Sequence, residues 1–226
     1  PCPVYDRCGG CSGQHMRYEA TLAAKRTQVY DCLTRIGGLP LHLEDVPPVL
    51  GAQDPWHCRN KTALPVGGTA DAPVLGFYRR RSHQIVPIDD CPVAMGGLMG
   101  VIAAVKEWMR AERVQPYDEK TGRGLLRHVV TRVSRAGSLM VVLTATRAKL
   151  PGVPRLVERL SARAPGFCSL HVSVNAGRNN VILGRESHRL YGEDAIFETL
   201  LGLTFEMPPL SFFQVNPDQT ERLYQT

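Results

Sequence analysis

Apolar residues recur at Leu22, Val29, Leu33 and Ile36, a spacing that lays them on one face of a helix over 18–36. Gly37-Gly38 followed by Pro40 ends that helix. Pro47-Pro48 and Asp54-Pro55 mark a connection, after which the period shortens. Segments 61–66, 74–79 and 84–88 read as short strands, joined by the Gly67-Gly68 turn and a basic stretch. Helical spacing returns over 93–109 through Leu98, Val101, Ile102, Val105 and Trp108. Strands over 129–133 and 139–144 flank Arg135-Ala136-Gly137-Ser138 and suggest a hairpin. A helix over 153–164 gathers Leu156, Val157 and Leu160 on one side. Strands follow at 170–174 and 181–183 around Asn175-Ala176-Gly177, then at 195–200 and 203–206, meeting at Gly202. The last residues read as the start of another helix. The pattern predicts a mixed α/β (α+β) fold in which antiparallel strands are covered by the helices near 93–109 and 153–164.

Composition narrows the class. The chain has 226 residues, 43% of them hydrophobic, with no apolar run long enough to cross a bilayer, so no membrane partner is expected. Its net charge is +6, an excess that favours a polyanion. The distribution is more informative. Arg79-Arg80-Arg81 with His83 follow Phe77 and Tyr78, Arg59 with Lys61 follow Trp56, and Arg123 with Arg127 and His128 make a third basic cluster. Cations interleaved with aromatics are what a single-stranded nucleic-acid surface uses for phosphate contact and stacking. Any one arginine taken alone reads first as a solvated side chain, so the reading rests on the clustering.

Cysteine supplies the candidate chemistry. Cys2, Cys8 and Cys11 lie in C-P-V-Y-D-R-C-G-G-C, and Cys91 in D-D-C-P. Four thiolates can ligate an iron-sulfur cube, with Gly9 and Gly10 letting the backbone turn closely around it. Zinc is the rival, since Cys8 and Cys11 form a C-x2-C knuckle. The wide gap from Cys2 to Cys8, and a Cys91 without a close partner, rank a 4Fe-4S cluster ahead of it. Seven cysteines and no secretory segment argue against a disulfide framework and for a reducing, cytoplasmic compartment. Cys32, Cys58 and Cys168 read as small buried hydrophobes.

Read in order, C-x5-C-G-G-C-S-G-Q-H-M-R-Y-E at the start, W-H-C-R-N-K at 56–61, L-G-F-Y-R-R-R-S-H-Q-I-V-P-I-D-D-C-P at 75–92, L-L-R-H-V-V-T-R at 125–132 and S-F-F-Q-V-N-P-D-Q-T-E-R-L-Y at 211–224 resemble the RNA (uracil-5-)-methyltransferases. The likeness is greatest to the bacterial 23S ribosomal RNA branch that carries a 4Fe-4S cluster. Cys58 departs from the pattern, because relatives often place an aromatic residue before R-N-K.

The resemblance implies a metal set of Cys2, Cys8, Cys11 and Cys91, with Gln214 contacting S-adenosylmethionine. It implies an RNA face of Arg59, Lys61, Arg79, Arg80, Arg81, His83, Arg127 and His128, with Phe212 or Phe213 stacking on a base. It divides the chain into a central cluster and RNA-binding domain over 1–210 and the first residues of a Rossmann-like methyltransferase domain over 211–226. A helix over 12–36 would pack on that second domain. The family's glycine-rich cofactor turn and nucleophilic cysteine, which adds to uracil C6, are not among these residues, so no catalytic residue is nominated and the polypeptide alone is expected to be inactive. A cytoplasmic monomer acting on 23S ribosomal RNA is the leading expectation; transfer RNA as substrate, a zinc-stabilised RNA-binding module and an electron-transfer protein are the alternatives.

Overall fold

A computed structural model describes residues 2–226. Its centre is a seven-stranded sheet ordered β3-β2-β1-β4-β5-β6-β7. The strands are β1 (Lys61–Gly68), β2 (Pro73–Tyr78), β3 (Ile85–Pro87), β4 (Leu126–Val133), β5 (Leu139–Ala145), β6 (Phe167–Val174) and β7 (Ser187–Gly192). The expected hairpin is β4–β5, with Val130 opposite Val142. Every neighbouring pair is antiparallel except β5–β6. That pair is parallel because α3 (Val153–Arg163) carries the chain back across the sheet between them. The mixed, mostly antiparallel fold read from the pattern is the one found.

Helices α2 (Leu98–Ala111) and α3 cover one face. Val101, Val105, Trp108, Leu156 and Leu160 share a core there with Leu64, Leu75, Val129, Leu143 and Leu170. Fully burying such side chains contributes roughly 1.5–3 kcal/mol each, and the Trp108 indole N–H donates to the Pro151 carbonyl at 2.9 Å, so no polar atom of that ring is stranded. The other face is closed by a ribbon of β8 (Ile196–Leu200) and β9 (Leu203–Met207), whose Ile196 and Met207 pack on Val130, Met140 and Val142. With both faces covered, β4 and β5 are buried at every position, which is why their sequences lack alternation. Leu201 and Gly202, both at positive φ, make the tight turn between β8 and β9.

Three expectations need correction. Segment 181–183 is irregular; the strand beside β6 is β7, which reads S-H-R-L-Y-G and keeps most side chains in or near solvent, so it carries no apolar signature. The first helix, α1 (Tyr18–Asp31), continues through a π-helical turn at Cys32–Ile36 and buries no residue. Ile36 is 84% exposed. Cys32 is exposed as well, on a turn that buries none of its residues.

Candidate functional site

The N-terminal knuckle is stitched to the end of β2. Cys8 forms a bridge with Arg79, and the Gly9 amide donates to the Tyr78 carbonyl at 2.9 Å. A Cβ at Gly9 would press on that same carbonyl, so only glycine allows this approach. Arg80 donates to the Cys11 carbonyl at 2.5 Å and lies over the Tyr5 ring. Cys91 arrives from the other side. Its segment runs beside 57–59, with the His57 amide bonded to Pro92 and the Arg59 amide to Val93, each at 2.9 Å.

These two attachments bring Cys2, Cys8, Cys11 and Cys91 to the wall of one cavity of about 240 Å³, shared with Tyr5, Phe77, Arg59 and Asp90. Burial pushes the Cys8 and Cys91 thiols up, while the Gly10 amide aims at the Cys8 sulfur and those of Val93 and Ala94 at Cys91. Such N–H···S contacts favour the thiolate, and a bound cation would complete the deprotonation. Among the described residues, no three His, Cys, Asp or Glu side chains gather closely enough to hold a single ion. Four cysteines on one wall are a donor set that an iron-sulfur cluster takes and that zinc also takes. Cys58 and Cys168 are not among the cavity residues.

Beside the cavity stand the expected cations. Arg59, Arg79, Arg80, Arg81 and His83 are exposed, and Lys61 is half-buried on β1. Arg80 is partly engaged by the knuckle, so its role is shared between fold and surface. Arg127 and His128 do not belong to this surface. Both are buried; Arg127 lies 4.3 Å over the Tyr117 ring and donates to the carbonyls of Asn175, Gly177 and Asn179. A guanidinium spent on three carbonyls organises the loop around it and is withdrawn from any phosphate. The sequence shows only its charge, and the three oxygens come from 48 to 52 positions away.

His128 has no hydrogen-bond partner for Nδ1 among the described residues, and burial, helped by the Arg127 charge, pushes its pKa down to about 4. Burial also pushes His171 down. His128 is held neutral in the fold down to about pH 4, whereas in the unfolded chain it takes up a proton near pH 6.5. Stability is therefore complete above about pH 6.5 and falls as pH drops toward 4, by on the order of 3 kcal/mol for His128. Urea denaturation at a series of pH values should show this slope, and His128→Gln should flatten it.

The segment before α4 (Pro217–Gln225) is clamped along β1 and β4. Asn60 donates through Nδ2 to the Gln214 carbonyl at 3.1 Å and through its amide to Val215 at 2.8 Å, and Arg132 donates to the Ser211 carbonyl. Asn216 caps α4 by accepting from the Gln219 amide at 3.1 Å. The clamp separates the two phenylalanines. Phe213 packs on Phe205 and the second core, while Phe212 is 84% exposed, and Gln214 is also exposed. Neither Asn60 nor Arg132 was singled out from the sequence, although Asn60 sits inside the R-N-K motif.

No protein-family model matches the chain. It is 42% identical over 225 residues to an uncharacterized RNA methyltransferase of Halalkalibacterium halodurans, covering 99% of this chain and 49% of that protein. It is 40% identical over 225 residues to another of Clostridium tetani, covering 99% and 48%. The chain thus spans about half the length of the curated relatives it matches. Among solved structures, the Pyrococcus abyssi tRNA (uracil-54, C5)-methyltransferase in complex with S-adenosyl-L-homocysteine superposes with a TM-score of 0.76 at 27% identity, over 99% of this chain and 50% of that one. Among the described residues, no helix is long and apolar enough to cross a membrane. Along its whole length, the chain is similar in sequence to proteins named RNA methyltransferases and in fold to a solved one, matching about half of each.

Proposed function

We propose that this chain is the RNA-recognising, cluster-bearing part of an S-adenosylmethionine-dependent RNA (uracil-C5) methyltransferase. The convergence of four cysteines on one cavity carries the reading, set against relatives named RNA methyltransferases. Cys2, Cys8, Cys11 and Cys91 would hold a 4Fe-4S cluster. Bound there, it supplies a covalent tie between the knuckle and the 91–95 segment, which flanks Arg59 and Lys61. Gln214 is the one side chain assigned to S-adenosylmethionine, and its exposure leaves the amide free to donate and accept. Transfer of the methyl group needs a cysteine nucleophile and a cofactor-seating turn that these residues do not supply, so the chain alone is expected not to methylate RNA.

Arg59, Lys61, Arg79, Arg81 and His83 form the cationic side of the RNA surface, with Arg80 shared. Phe212 is the stacking residue, since Phe213 is occupied by Phe205. The cysteine set favours 23S ribosomal RNA as substrate. Transfer RNA is the second reading, favoured by the Pyrococcus abyssi neighbour's named substrate. Titrating the chain with a uridine-bearing ribosomal RNA stem-loop and with a transfer RNA stem-loop tests both. Phe212→Ala should weaken the preferred complex by about 1–3 kcal/mol without lowering the melting temperature, and Phe213→Ala should lower the melting temperature. Equal affinity of Phe212→Ala and wild type would remove the stacking role.

A further inference from the structure

A second cavity, of about 170 Å³, lies apart from the cysteines and is lined by Tyr117, Glu119, Arg127, Arg178, Asn179 and Asn180. Two loops make it, and each is locked. In the first, the Asp118 carboxylate accepts from the Lys120 amide at 2.8 Å and the Thr121 hydroxyl at 3.1 Å, and the Asp118 amide donates to the Arg123 carbonyl at 2.7 Å. The second is the 175–179 segment that Arg127 holds by its carbonyls. Arg178 joins the two. It donates to the Thr121 carbonyl at 3.0 Å and lies so close on Gly122 that a Cβ there would strike the guanidinium. A cavity with walls fixed in this way needs little ordering when a ligand enters.

Arg127 is buried and spent on its carbonyls, so it forms the floor. The groups left to a ligand are the Glu119 carboxylate and the remaining N–H groups of Arg178, both residues being exposed. Among the described residues, Glu119 forms no ion pair with Arg178 or with any other cation. An acceptor-only carboxylate and a donor-only guanidinium thus line one cavity without closing on each other. A ligand that fills the gap must carry donors on one edge and acceptors on the next. Guanine does so: its N1–H and N2 amino group lie side by side, and its O6 and N7 form the acceptor pair that arginine takes bidentately. Uracil, cytosine and adenine each set an acceptor beside the donor on their pairing edge, which a carboxylate repels. The cavity also adjoins the cationic surface. Tyr78, next to Arg79, lies near enough to feel two of its charges: burial pushes the phenol up, Glu119 adds to the rise and Arg127 opposes it. Lys120 and Arg123, exposed on the first loop, stand where phosphates flanking a bound base would pass.

We infer that this cavity binds an unpaired guanine of the RNA, read by Glu119 and Arg178, as a recognition point separate from Phe212. The inference rests on the RNA-recognition reading above and adds a base preference to it.

Glu119→Gln is the informative variant, because glutamine keeps the size of the side chain and replaces one acceptor oxygen with a donor. Fluorescence anisotropy with two single-stranded, uridine-rich oligoribonucleotides, alike except for one central guanosine or adenosine, gives the preference; thermal melting gives stability. The site predicts that the unaltered chain prefers guanosine by about fivefold or more. Glu119→Gln should abolish that preference and keep the adenosine affinity and the melting temperature. Equal affinity for the two in the unaltered chain, or a preference that survives in Glu119→Gln, would overturn the pocket and leave the RNA reading standing. A melting temperature that falls together with the preference would make the carboxylate a structural group and also overturn it. Free guanosine monophosphate at the oligonucleotide's concentration should displace nothing; displacement would assign the cavity to a free nucleotide and overturn the RNA assignment. If the unaltered chain binds neither oligonucleotide at low salt, the RNA reading itself falls.

Discussion

Cys91→Ser is expected to abolish metal retention and lower the melting temperature by roughly 10–20 °C relative to the cluster-loaded chain. Cys91 stands on a segment joined to 57–59, and the other three thiols stand on a knuckle joined to β2, so the cluster would close a loop of about eighty residues. The chain-entropy relation for a cross-link gives about 4–5 kcal/mol for such a loop. At this chain length each kilocalorie moves the midpoint by roughly 2–4 °C. Cys58→Ser and Cys168→Ser are the controls, since neither residue lines the cavity, and each should keep metal and stability. Iron content and thermal melting, followed under nitrogen, decide between these outcomes. Full iron retention in Cys91→Ser would remove it from the ligand set.

Arg127→Met is expected to cost about 3 kcal/mol or more and to leave the affinity of the folded protein for guanine-free RNA unchanged. Methionine preserves much of the side chain's length but strands the carbonyls of Asn175, Gly177 and Asn179 and removes the cation from the Tyr117 face. Bonds from a charged donor contribute roughly 1.5–3 kcal/mol each, and leaving the acceptor on buried Asn175 unpaired adds to the loss. Urea denaturation measures the stability change. An affinity for guanine-free RNA that falls in proportion to charge, with stability intact, would return Arg127 to the binding surface.

What could be read from the sequence follows from how local each determinant is. The β4–β5 hairpin and α2 were legible because apolar spacing and turn residues sit within the segments themselves. The knuckle was legible because three of its sulfurs lie within eleven residues of the N-terminus. β7 was hidden because an edge strand with solvated side chains is defined by its partner β6 rather than by its own pattern. Arg127 and His128 read as surface cations because charge is visible in a sequence and burial is not. The clamp on 211–216 joins residues some 150 positions apart, and its donors at Asn60 bond chiefly to backbone, which carries no residue-type signal.

The central claim is that the cavity bounded by Cys2, Cys8, Cys11 and Cys91 holds a polynuclear iron-sulfur cluster. Quantifying iron, zinc and acid-labile sulfide in the chain purified without oxygen addresses it most directly. The account predicts a brown protein with about four iron and four sulfide per chain and little zinc. One zinc per chain, with neither iron nor labile sulfide, would contradict it.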